Sequence, residues 1–66
     1  MTKKEISDTV DAVEANRAEA VEAERKARDP QRPSAERAEW AARADQLRAV
    51  VREFLDQLRR AGVQHE

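Results

Sequence analysis

The chain has no cysteine and no tyrosine, one glycine, one histidine, and one residue each of tryptophan and phenylalanine. Without cysteine there is no disulfide, no thiolate nucleophile and no Cys-containing zinc site. His65 has no second imidazole or thiolate to join it around an ion, so no metal and no cofactor is expected. The scarcity of glycine rules out a Gly-rich phosphate loop. Catalysis finds no foothold either: Thr2, Ser7, Thr9 and Ser34 are hydroxyl groups without an activating partner, so no catalytic residue is assigned and the protein is read as a non-enzyme. No apolar run approaches the roughly 18 residues of a bilayer span. Met1-Thr2-Lys3-Lys4-Glu5 leads into charged sequence without the apolar core of a signal peptide, and the expectation is a cytoplasmic protein.

Charge of one sign is also missing as an excess: 13 basic residues oppose 14 acidic ones among 66. A global field toward nucleic acid or a membrane is therefore absent, and any such attraction must be local. Arginine far outnumbers lysine, as in proteins of GC-rich genomes.

What is present is helix-forming sequence, dominated by Ala, Glu and Arg. Trp40, Ala44, Leu47, Val51, Phe54, Leu58 and Ala61 recur in alternating steps of four and three, the period of a helix packing along one seam. Nearer the N-terminus Ile6, Val10, Val13, Ala20, Val21 and Ala27 share one face at 100° per residue. Thr2-Lys3-Lys4-Glu5 has the form of a capping box, with Ser7 or Asp8 as other possible caps. Asp29-Pro30-Gln31-Arg32-Pro33-Ser34 is the one break, because each proline lacks an amide hydrogen and disfavours helix in the residue before it. Ser34 is the natural N-cap of the second helix, with Asp29 capping a short turn as the alternative.

These signals predict a single all-α domain over 1–66, a two-helix antiparallel hairpin of coiled-coil character: helix over about 3–28, turn over 29–34, helix over about 35–61 and a frayed tail over 62–66. Folding about Gln31 brings Ile6 and Val10 near Phe54 and Leu58, Val13 near Val51, and the alanines at 20, 23 and 27 near Trp40. Core packing of Trp40 is favoured over a role as interface anchor. Val50 and Leu55 widen the second stripe beyond what one partner helix covers. A hairpin this small buries too few large side chains to offset the ordering of its chain. A homodimer forming a four-helix bundle is therefore expected, with Leu47, Val50, Phe54, Leu55 and Leu58 at the self-association or partner interface. The competing arrangement is a lone hairpin held by helix propensity and salt bridges.

Three polar features stand out. Arg17 and Glu24 interrupt the first seam two turns apart, placed to fix register in preference to facing a partner or standing merely exposed; around the hairpin Arg17 falls near Asp45 or Gln46 and Glu24 near Arg37. Arg37, Arg48, Arg52 and Arg59 line one flank of the second helix, where they can cover apolar surface with their stems or contact phosphates. Asp45, Glu53 and Asp56 on the same helix, and the lack of interleaved aromatics, weigh against nucleic acid. Asp8, Asp11, Glu19 and Glu22, with Lys26 one turn on, read as a solvated outer face.

The hairpin resembles in general shape the RNA-binding hairpin dimer Rop, without a shared motif, so no binding residue carries over. The Trp-x-Gly turn of secreted WXG-type hairpins is missing. The sequence thus points to a protein–protein interaction module, a small adaptor, assembly or regulatory protein of bacterial or phage accessory type, whose partner is itself or another helical protein and not a membrane. A dimeric nucleic-acid-binding regulator using the arginine flank is the alternative.

Overall fold

A computed structural model describes residues 1–63. The described residues form two antiparallel helices, α1 (Lys3–Ala27) and α2 (Ser34–Arg60), in a rod of 45 × 15 × 15 Å. The predicted tail beyond Val63, including His65, lies outside the described residues.

Helix α1 begins as the sequence indicates. Glu5 N–H donates to the Thr2 hydroxyl at 3.1 Å while Thr2 N–H donates to the Glu5 carboxylate at 3.0 Å, so each side chain satisfies the other residue's otherwise orphaned amide. The helix ends at Ala27, with Arg28 N–H donating to Glu24 and Arg25 carbonyls at 3.1 and 3.2 Å.

The turn is tightly wired. The Asp29 carboxylate accepts from Gln31 N–H at 3.0 Å, and Arg32 N–H donates to the Asp29 carbonyl at 3.2 Å, which is the Asp29 turn considered as the alternative cap. Ser34 is not the N-cap. That position falls to Pro33, extended at φ −56° and ψ 147°, which has no side-chain oxygen to offer; its carbonyl accepts the first helical bond, from Arg37 N–H at 3.0 Å. Arg32 fastens this end instead: its guanidinium pairs with Glu36 at 2.7 Å and approaches Asp29 at 3.4 Å, and its carbonyl accepts from Arg37 Nε at 3.1 Å.

At the far end Gly62 and Val63, predicted to belong to a frayed tail, are held in place. Gly62 adopts φ +81°, Val63 N–H donates to the Leu58 carbonyl at 2.8 Å and Gly62 N–H to that of Arg59 at 3.0 Å, the two bonds of a Schellman motif. Val63 consequently folds back onto the core beside Leu58.

That core has two parts. Near the turn Ala20, Ala23, Ala44 and Leu47 pack together with Trp40 against them; the small side chains let the helices approach, and the indole fills the remaining width. Toward the open end Val13, Val51 and Leu58 form the second part, flanked by Ile6, Val10, Phe54, Leu55 and Val63. The large-against-small register expected from the sequence is the one adopted. Among the described residues no polar or charged side chain is buried.

Candidate functional site

The two helices leave an open groove of about 810 Å³ along one side of the hairpin. Helix α1 contributes Arg17, Ala20, Val21 and Glu24, and α2 contributes Asp45, Arg48, Val51, Arg52 and Leu55. Its floor is apolar and its rim charged. The reason lies in helix geometry: Val21 is eight residues from the buried Val13, so at 100° per residue it stands about 80° off the seam, at the edge of the stripe rather than its centre. Val21 is 67% exposed, the most exposed large apolar residue in the body of the hairpin.

The groove unites residues the sequence assigned to separate roles. Arg17 and Glu24 of the polar seam, Arg48 and Arg52 of the arginine flank, and Leu55 of the apolar excess all line it. Glu24 pairs with Arg48 across the two helices, not with Arg37 as expected, and Asp45 approaches the same guanidinium at 3.5 Å. Long side chains lean toward the N-terminus of their own helix, which in an antiparallel pair tips Arg48 and Glu24 toward each other. Arg37 is held by the turn instead. No ion pair among the described residues includes Arg17, Arg52 or Arg59.

The predicted interface set divides. Leu47 and Leu58 are covered by α1 within the single chain, Leu58 to 1% exposure, so their area is already used in the hairpin core. Phe54 and Leu55 are half-buried against the open-end core. Val50 is exposed, yet it lies about 140° from Leu55 at 100° per residue, on the opposite flank of α2. The apolar excess of α2 therefore faces two sides, and only Leu55 belongs to the groove. Val21, its counterpart on α1, was legible only as one member of a stripe.

The other side of the hairpin near the turn is roofed by charge. Lys26 places its ammonium 4.2 Å from the centre of the Trp40 ring, leaving Glu22 to pair with Arg25 rather than with Lys26. The Arg25 hydrogen bond lowers the Glu22 carboxyl from its ordinary value, and Glu22 in turn raises Arg25. Both groups are solvated, so the pair adds little to stability. Glu19, read from the sequence as part of a solvated face, reaches across the helices to Arg43 at 3.7 Å. A smaller hollow of about 280 Å³ adjoins the groove at its turn end, sharing Glu24, Asp45 and Arg48 with it and adding Arg28, and another of about 250 Å³ lies on the side of Lys26 and Trp40.

Among the described residues no group of three or more His, Asp or Glu is placed to hold a metal ion, and no helix is long and apolar enough to cross a membrane. No protein family model matches the chain, and neither curated proteins nor solved structures show a significant similarity to it.

Proposed function

We propose that this chain is a non-enzymatic protein–protein interaction module, a small adaptor, assembly or regulatory protein of the cytoplasm that binds a helical partner in the groove between α1 and α2. The observation that carries this reading is Val21, 67% exposed above a floor of Val51 and Leu55 and surrounded by charged rims. An apolar strip bordered by charge is what an amphipathic helix recognises: its apolar face displaces water from the floor while its flanks meet the rim. The simplest partner is a second copy, closing a homodimeric four-helix bundle. Phe54 and Val50 then remain on the opposite side as the smaller apolar surface.

The nucleic-acid reading draws on Arg52 and Arg59 alone, since Arg48 is engaged by Glu24 and Asp45 and Arg37 by the turn. Two arginines on one helix are few for tracking a phosphate backbone.

The test compares immobilised wild-type protein with the groove variant Val21→Glu/Leu55→Glu in a cell extract, with helical content checked by circular dichroism. Retention of a protein by the wild type and its loss with the variant supports the reading. Equal retention by both, or retention of RNA or DNA that is released by modest salt, overturns it.

A further inference from the structure

We infer that the groove is a self-complementary seam that receives a second copy of this chain in antiparallel, two-fold fashion, the acidic end of each groove lying on the basic end of the other. The inference rests on the reading of the groove as a protein interface and specifies its occupant.

The charge pattern carries it. On α1 Glu24 comes seven residues after Arg17, and on α2 Asp45 precedes Arg52 by seven. Seven residues advance a helix by about 10 Å and return within roughly 20° of the same direction. Because the helices run antiparallel, both carboxylates lie toward the turn and both arginines toward the open end. All four line the groove. Arg48, between them, is taken up by Glu24 and Asp45 of its own chain. Within the groove two carboxylates against one guanidinium leave the turn end net negative, with Arg28 standing beyond them on the adjoining hollow, while Arg17 and Arg52 have no ion-pair partner among the described residues. A groove negative at one end and positive at the other is complementary to itself only when its copy is reversed. A two-fold axis perpendicular to the rod performs that reversal and closes the assembly, whereas a parallel copy sets Arg17 and Arg52 against their own equivalents.

Area and apolar content agree with this choice. One face of a 45 × 15 Å rod offers about 700 Å² per copy, close to the roughly 800 Å² per partner of a standard stable interface. Three of the seven buried residues are alanines, so a single chain has a thin core that a second layer would thicken. Val21 lies between the two charged ends, where the axis brings it against the partner's groove floor. The opposite side near the turn is already closed by Lys26 over Trp40 and Arg43 on Glu19.

Sedimentation velocity on the full chain tests this, with circular dichroism as the control for folding. Wild type is expected to sediment as a dimer at micromolar concentration and Val21→Glu as a helical monomer. Arg17→Glu/Arg52→Glu makes both ends of the groove acidic, with Arg48 the one cation left in it, and Glu24→Arg/Asp45→Arg makes it uniformly basic. Each should lose at least about tenfold in dimer affinity, and an equimolar mixture should restore a one-to-one heterodimer. Asp45 is exposed, so Asp45→Arg alone replaces the basic double variant if the latter fails to fold. A monomeric wild type, reversed variants that dimerise as well as wild type, or a mixture that does not associate overturns the second-copy inference. If such a monomer still captures another protein in a Val21-dependent way, the interaction-module reading stands without it; if it captures none, both fall.

Discussion

Lys26 and Trp40, on different helices, form a cation–π pair with the ammonium 4.2 Å from the ring centre. The indole is half-buried: one side lies on the alanines of α1 and α2, and Lys26 covers part of the other. At a partly solvated site such a pair contributes about 0.5–1 kcal/mol. Lys26→Ala should therefore lower the melting midpoint by a few degrees, at roughly 4–8 °C per kcal/mol for a domain of this size. Trp40→Ala should cost more, approaching the lower end of the roughly 3–5 kcal/mol seen for large aromatic truncations. Equal losses in the two variants would show that the indole draws its stability from the ammonium rather than from packing.

Leu58 and Val50 separate the core from the outer flank. Leu58 is 1% exposed and Val50 37% exposed. Leu58→Ala should destabilise by about 2–5 kcal/mol, enough to unfold much of so small a chain, while Val50→Ala should stay within about 0.5 kcal/mol. Urea titrations of the two variants check this. A large loss at Val50 would mean that a partner covers that flank.

The capping box makes α1 sensitive to acid. Thr2 N–H donating to Glu5 lowers the Glu5 carboxyl from its ordinary value, and Arg25 does the same for Glu22. A carboxyl whose folded value lies below its unfolded one stabilises the fold at pH above the unfolded value; that contribution is lost as the pH falls through the folded value. Ellipticity monitored on acidification should decline slightly in that window, and Glu5→Gln should flatten the decline, whereas Glu22→Gln, in a solvated pair, should change it little. Thr2→Ala at neutral pH should cost about 1 kcal/mol, the usual loss of an N-cap hydroxyl.

Gly62 ends α2 at φ +81°, and a Cβ placed there meets nothing within 4 Å. Gly62→Ala therefore creates no clash and should cost only the roughly 1–2 kcal/mol of left-handed backbone for an L-residue. The loss should appear as a lower midpoint in thermal melts. Faster amide exchange at Val63, whose N–H closes the Schellman motif on Leu58, should accompany it.

The helices, their direction and their register were legible in the residues because they depend on local rules. Thr2 and Glu5 satisfy neighbouring donors, Pro30 and Pro33 withhold theirs, and the period from Trp40 to Leu58 fixes which face of α2 turns inward. The start of α2 was harder to read. Ser34 is a better cap than Pro33 by residue type, yet Arg32, bound to Glu36 and Arg37, fastens that end through side chains whose reach sequence spacing does not reveal.

The sequence by itself thus determined an antiparallel helical hairpin with alanines opposite Trp40 and aliphatic residues at the open end. Only the tertiary structure decided which of the remaining residues share a surface. Leu47 and Leu58 went into the core, Val50 and Leu55 to opposite flanks, and Glu24 to Arg48 rather than Arg37. The physical reason is that periodicity gives the direction of a side chain about its own helix axis. The partner it meets depends on how two helices are rotated and how far long side chains lean along them, and that packing gathers Arg17, Val21, Glu24, Arg48, Arg52 and Leu55 into one groove.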